Sequence, residues 1–116
     1  MSVRKSATAV LALAAMLSVG CKKSPPPLTE DEAAGQHLYN RSCAHCHEEN
    51  DLGLRKIPPS LHHVFANQTL PSGTPATDDQ VRRILLEGKG LMPPFAGRFS
   101  PVEMQQLLAW LHHGTE

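Results

Sequence analysis

The apolar and polar positions of the chain predict three main helices, and the first begins at Thr29. Thr29 is a favourable helix cap, and Glu32 stands three residues later, where a capping box needs a carboxylate. Leu38 and Tyr39 form an apolar face, and Gly35 precedes them by one turn. A glycine at such a position lets a second helix approach closely. We therefore expect this helix, which runs to about residue 43, to cross another.

A second helix is predicted just after Thr77. Either Thr77 or Asp78 caps its N-terminus, and Gly88 ends it. Its apolar residues recur at helical spacing and define one buried face. These residues are Val81, Ile84 and Leu85.

The last helix has the clearest start. Ser100 is the cap, Pro101 occupies the first helical position, and Glu103 completes a second capping box. Its predicted buried stripe is Met104, Leu107, Leu108 and Leu111, with Trp110 beside it.

The segment of residues 48–77 has no periodic pattern, and glycines and prolines interrupt it throughout. At most one helical turn is expected there, within residues 61–66. We find no convincing strand pattern and no internal repeat, so the predicted fold class is all-α. An irregular stretch of this length is uncommon in a small domain, unless it packs on something other than protein.

The N-terminal residues predict export rather than folded structure. Arg4 and Lys5 precede an apolar stretch of small residues at 7–19. This pattern is typical of a secretory signal, and the stretch is too short for an ordinary membrane span. We assign residues 1–20 to a signal peptide.

The residues before Cys21 resemble a bacterial lipobox, in which the cysteine receives a diacylglycerol and becomes the mature N-terminus. The match is imperfect, because Ser18 stands where an aliphatic residue is usual and Leu17 lies one step too early. The alternative is ordinary cleavage nearby, which leaves Cys21 as an unpaired thiol. We predict lipidation of Cys21, since an exposed unpaired cysteine outside the cell is hard to explain otherwise.

Residues 21–28 are predicted to form a tether, and residues 29–116 the folded domain. The tether contains three successive prolines, which favour polyproline II. At ~3.1 Å per residue, its last seven residues reach about 20 Å, enough to hold a small domain away from a bilayer.

Charge adds little to this picture. The 116 residues contain 11 Lys and Arg and 11 Asp and Glu. Removal of residues 1–20 leaves 9 basic residues against 11 acidic ones, interspersed along the chain. This charge balance indicates neither a nucleic-acid partner nor a strong electrostatic field that would steer charged partners to the protein.

The chemistry is concentrated in the pentapeptide Cys43-Ala44-His45-Cys46-His47. C-x-x-C-H is the attachment signature of c-type haem. In a helical turn, positions i, i+3 and i+4 share a face. Cys43 and Cys46 then reach the two vinyl groups of one porphyrin together, while His47 offers its imidazole to the iron as the proximal ligand.

Two other interpretations of these cysteines exist. A zinc site needs four ligands, and only the pairs at residues 62–63 and 112–113 are available to complete it. A thioredoxin-like dithiol would follow a strand in a βαβ pattern, which is missing from the sequence. Haem attachment is the prediction, with zinc binding and dithiol chemistry as the alternatives.

A candidate for the second axial ligand lies between the last two helices, in the segment Leu91-Met92-Pro93-Pro94. A residue before proline is pushed out of helical conformation, and the two prolines have fixed φ. Met92 is therefore held stiffly, and its thioether suits haem iron. The alternative is that Met92 fills the core, which is the role we assign to Met104.

From about residue 30 to 113 the chain resembles a class I monohaem cytochrome c of the bacterial, short-domain type. The matching motifs stand in the family's order. They are Gly35-x-x-Leu38-Tyr39, Cys43-x-x-Cys46-His47, Pro59-x-Leu61, Met92-Pro93-x-Phe95, and a C-terminal helix with an aromatic residue.

The resemblance implies a small cytochrome c fold, with three main helices and long loops around one covalent haem c. It implies that Gly35 and Tyr39 cross the last helix near Leu107 and Trp110, and that the Pro59 carbonyl binds the proximal histidine. The metal ligands would be His47 and Met92. The histidines at 62 and 63 are rivals for the sixth position, because their loop passes close to the porphyrin in this family.

The predicted function is one-electron transfer outside the cytoplasm, with no small-molecule substrate and with redox proteins as partners. The lipid on Cys21 would anchor the protein in a membrane, with the outer membrane favoured where the cell has one. A haem-based gas or redox sensor with an open or labile sixth position is the alternative. A peroxidase-like enzyme is less favoured, because the sequence shows no evident distal His–Arg pair.

Overall fold

The computed structural model describes residues 24–114, so the predicted signal peptide and Cys21 lie outside the described residues. The helices are α1 (Glu30–Ser42), α2 (Ala44–His47), α3 (Asp78–Glu87) and α4 (Pro101–His113), with one 3₁₀ turn at Val64–Ala66. Residues 24–114 contain two isolated β-bridges and no strand. The all-α prediction is confirmed, and α2 is a short addition to the three predicted helices.

Both capping boxes form as the sequence predicts. The Thr29 hydroxyl accepts the Glu32 N–H at 3.2 Å, and the Glu32 carboxylate accepts the Thr29 N–H at 2.7 Å. Ser100 and Glu103 repeat this arrangement at the start of α4, at 3.2 and 2.8 Å. These bonds satisfy N–H groups that a helix N-terminus leaves unpaired.

Helix α3 is capped by Thr77, whose side chain accepts the Gln80 N–H at 3.4 Å. Asp78 is therefore the first helical residue rather than the cap. The helix ends at Gly88, which has φ 74°. Of the predicted stripe, Val81 and Leu85 are buried and Ile84 is half-buried.

The centre of the fold is the crossing of α1 and α4 at Gly35. A Cβ atom there would lie 2.6 Å from the carbonyl carbon of Gln106 and would overlap its oxygen. The missing side chain is therefore what allows the two backbones to meet. Beside this point, the rings of Tyr39 and Trp110 lie 6.4 Å apart at 56°, and Leu107 is completely buried.

The predicted stripe of α4 is buried throughout, together with apolar residues of the other segments. Residues 48–77 contribute two buried residues to this core, Val64 and Leu70, and three partly buried ones pack against it, Leu61, Phe65 and Ala76. Leu28, at the end of the predicted tether, packs against the core, whereas residues 24–27 are exposed. Within the described residues, no helix is both long enough and apolar enough to span a membrane.

Candidate haem site

The C-x-x-C-H segment folds into a single helical turn that follows α1 directly. Cys43 is the C-cap of α1, and its N–H donates to the Tyr39 carbonyl at 2.8 Å. The Cys43 carbonyl in turn accepts the N–H groups of Cys46, at 3.1 Å, and of His47, at 3.0 Å. The backbone bonds thus create the i, i+3, i+4 arrangement that the spacing predicts.

Neither cysteine of this turn is in a disulfide; Cys43 is buried and Cys46 is half-buried. Burial, reinforced by the neighbouring Cys46, raises the pKa of Cys43 to about 12. Dithiol redox catalysts instead lower the pKa of the attacking thiol, because the thiolate is the nucleophile. The burial of Cys43, its raised pKa and the all-α surroundings do not fit the dithiol interpretation.

The imidazole of His47 is oriented by the backbone of the following loop. Its Nδ1 lies 2.7 Å from the carbonyl oxygen of Pro59. A carbonyl oxygen only accepts, so Nδ1 must carry the proton and donate it. This tautomer leaves the lone pair of Nε2 available to a metal, which is the usual state of a ligating histidine. The contact between Pro59 and His47 that the resemblance implies is present.

Met92 lies in a tight turn between α3 and α4. The Lys89 N–H donates to the Met92 carbonyl at 3.1 Å, and the Met92 N–H donates to the Lys89 carbonyl at 3.0 Å. Gly90 turns the chain between them with φ 58°. A Cβ at Gly88 would lie 2.6 Å from the Met92 carbonyl oxygen. Backbone bonds and two glycines thus fix this turn in addition to the prolines, and the half-buried Met92 packs against the core.

The two histidines considered as rivals of Met92 have other partners. The Nε2 atom of His62 lies 3.6 Å from the Glu48 carboxylate. His63 has a left-handed backbone with φ 53°, and its N–H donates to the Gly114 carbonyl at 3.3 Å. Its ring lies against Gly114 at the end of α4.

The ligands required for a zinc site do not come together around the cysteines. Within residues 24–114, the metal-ligating side chains that cluster most closely are His45, Glu49 and Asp51, whose ligand atoms lie within 4.8 Å of one another. All three are exposed, and neither cysteine belongs to the group. The hydrogen bond between His45 and Asp51 raises the pKa of His45 and lowers that of Asp51.

Sequence reasoning missed two features of this region. The paired bonds between Lys89 and Met92 were signalled by the glycines at 88 and 90, which is a turn pattern. Glu48 accepts a hydrogen bond from the Tyr39 hydroxyl at 2.9 Å. Nothing in the sequence separates Glu48 from its neighbour Glu49, so no local signal was available for this contact.

These side chains fit a covalently bound haem. Two cysteines three residues apart, neither of them in a disulfide, occupy one helical turn, and Nδ1 of the adjacent imidazole is hydrogen-bonded. The Met92 thioether belongs to the turn between α3 and α4, and Met92 packs against the same core. Soft sulfur and imidazole donors are the axial ligands that haem iron takes in electron-transfer proteins.

The fold and these residues together define a class I monohaem cytochrome c. Residues 30–111 match the family described as "Cytochrome C oxidase, cbb3-type, subunit III", and the chain belongs to this family of c-type cytochrome domains.

Two curated relatives are cytochromes as well. Over 90 residues the chain is 31% identical to "Cytochrome c6" of Limnospira maxima, covering 70% of this chain and 90% of that protein. Over 114 residues it is 26% identical to "Cytochrome c6" of Picosynechococcus sp., covering 95% and 92%. The cofactor is accordingly haem c, and the protein is an electron carrier, not an enzyme, with redox proteins as partners.

Proposed function

We propose that the protein carries single electrons through one haem c that is held at both axial positions by its own side chains. Cys43 and Cys46 form the two thioether bonds, and His47 and Met92 are the axial ligands. Pro59 fixes the His47 imidazole through its carbonyl. When bound, the haem supplies reversible one-electron exchange between ferrous and ferric iron.

The observation that carries this proposal is the 2.7 Å hydrogen bond between His47 Nδ1 and the Pro59 carbonyl. The bond fixes the tautomer and the plane of the ring, so Nε2 is presented as a ligand. Met92 is the thioether in a fixed turn, whereas Met104 lies on the buried face of α4. His62 and His63 are engaged with Glu48 and Gly114. These contacts favour Met92 as the sixth ligand.

The proposed setting is the outer side of a bacterial membrane. We propose residues 1–20 as the signal peptide, residues 21–28 as the tether and residues 29–116 as the cytochrome domain. A lipid on Cys21 anchors the domain, in the outer membrane where the cell has one. Position 22 is lysine, not the aspartate that typically retains such lipoproteins at the inner membrane of enteric bacteria, and this supports the choice of the outer membrane.

The test is haem extraction followed by spectroscopy on protein matured in a bacterial host. Haem attached through Cys43 and Cys46 stays with the chain in acidified acetone, and the denatured protein keeps the added mass. The ferric protein should show the weak far-red charge-transfer band of thioether ligation. Extractable haem would refute the thioether bonds. A missing band together with ready binding of carbon monoxide to the ferrous form would indicate the sensor instead.

A further inference from the structure

Tyr39 is a buried phenol with a single acidic partner. Its residue is 1% exposed, and its hydroxyl donates to Glu48 Oε1 at 2.9 Å. Burial, and next the bond to Glu48, raises the pKa of Tyr39 above its ordinary value of 10. A buried hydroxyl needs such an acceptor, because its desolvation is otherwise uncompensated. This hydrogen bond connects the buried Tyr39 of α1 to Glu48, the residue that follows the C-x-x-C-H motif.

Glu48 also faces the loop that carries the acceptor of His47. Its Oε1 atom lies 3.6 Å from Nε2 of His62, which stands three residues after Pro59. The loop therefore meets the haem motif at two points, through the hydrogen bond between His47 and Pro59 and through the partly exposed side-chain pair of His62 and Glu48. Because two attachments fix the orientation of a short peptide as well as its position, they restrict where the Pro59 carbonyl points.

We propose that Glu48, held by the Tyr39 hydroxyl, is a positioning residue that keeps the Pro59 carbonyl in line with His47 Nδ1–H. This inference rests on the proposed ligation of iron by His47. A well-aligned acceptor makes the ligating imidazole more basic, which favours ferric iron. Weakening the network should therefore loosen the hydrogen bond and raise the reduction potential.

The first measurement is solvent exchange of the His47 Nδ1 proton, followed by NMR in the diamagnetic ferrous holoprotein. Tyr39→Phe and Glu48→Ala should each speed this exchange about five- to tenfold, the change expected when roughly one ordinary hydrogen bond is lost. Glu49→Ala is the matched control, because it removes the same charge at the next residue, whose carboxylate lies with His45 and Asp51 instead. Its exchange rate should equal that of the wild type.

The second measurement is the reduction potential of Tyr39→Phe, which alters no charge. The potential should rise in this variant, whereas a merely structural role would lower the melting temperature and leave both exchange and potential unchanged. That result, or equal exchange in Glu48→Ala and Glu49→Ala, would overturn the positioning role alone. A wild type without the far-red band and without a His47 ring proton would overturn the proposed axial site, and this inference with it.

Discussion

One nitrogen of His47 carries the proton, and the carbonyl of Pro59 determines which one. Two successive prolines, Pro58 and Pro59, have fixed φ and stiffen the peptide that presents this acceptor. The donating Nδ1 is 2.7 Å away. At the scale of single residues, a backbone carbonyl thus sets the orientation of the His47 ring, and backbone hydrogen bonds fix the turn that carries Met92.

Met92→Ala should abolish the far-red charge-transfer band, lower the reduction potential and open the iron to added ligands. The potential should fall substantially, because axial ligands tune haem potentials over a range of about 0.8 V. The checks are the ferric absorption spectrum, a redox titration and carbon monoxide binding to the ferrous form.

Met104→Leu is the matched control for that variant. Met104 is a buried methionine of α4, and exchange of methionine for leucine conserves volume. Its spectrum should match the wild type. A band that survives in Met92→Ala and disappears in Met104→Leu would reverse the two assignments.

Local spacing made much of the candidate site predictable. Cys43, Cys46 and His47 follow from a five-residue pattern, and their common turn is present. The partner of His47 came from the family resemblance, and the structure has that contact. Glu48 was not predictable, because its bond to Tyr39 depends on how the turn after α1 folds back. A sequence pattern does not encode such a contact.

At the scale of elements, helix starts were the most predictable features. A capping box involves four consecutive residues, so Thr29 and Ser100 mark their helices without reference to the rest of the fold. Residues 48–77 were the least predictable, because they lack any period. Their course depends on contacts such as that of Phe65, whose ring stacks on His112 at 3.8 Å.

Gly35→Ala should destabilise the holoprotein by about 3 kcal/mol, the upper part of the usual range for overpacking. The added Cβ would collide with the backbone of Gln106, which cannot move without separating α1 from α4. Chemical denaturation measures the change. His37→Ala, at an exposed position of the same helix, should stay within about 0.5 kcal/mol. Equal stability of the two variants would contradict the close crossing.

The Glu103 carboxylate makes the stability of the N-terminus of α4 dependent on pH. Its hydrogen bond from the Ser100 N–H is the main reason that its pKa lies below the ordinary 4.5. A carboxyl group with a lowered pKa in the folded state stabilises that state when ionised. Its contribution to the free energy of unfolding is complete above the pKa of the unfolded state. That contribution is lost as the pH falls through the pKa of the folded state.

Glu103→Gln should therefore melt below the wild type at neutral pH, and the difference should shrink as the pH falls below 4.5. The amide keeps an oxygen that can accept the Ser100 N–H but has no charge to titrate. Melting curves of both proteins across the acid range provide the measurement. A difference that stays constant across that range would show that ionisation of Glu103 does not contribute.

At the scale of the whole molecule, the fold has a helical half and a half made of loops. The crossing of α1 and α4 buries its own apolar residues, whereas residues 48–77 are mostly exposed and bury only Val64 and Leu70 fully. Such a loop gains little from protein packing alone. We expect the haem to supply the remaining apolar contacts, which explains why a small domain with few aromatic residues tolerates so long an irregular segment.

Cys21→Ala should move the protein from the membrane fraction to the soluble extracytoplasmic fraction, or block its processing. Two or three acyl chains give stable anchoring, whereas a single chain gives only marginal binding. Fractionation and intact mass of the wild type and the variant test this, with haem absorbance in each fraction showing that the domain still matures. Ser24→Ala, at an exposed position of the predicted tether, is the control and should remain with the membrane. Wild-type protein recovered wholly in the soluble fraction, without a lipid mass on Cys21, would refute the anchor and leave the haem site unaffected.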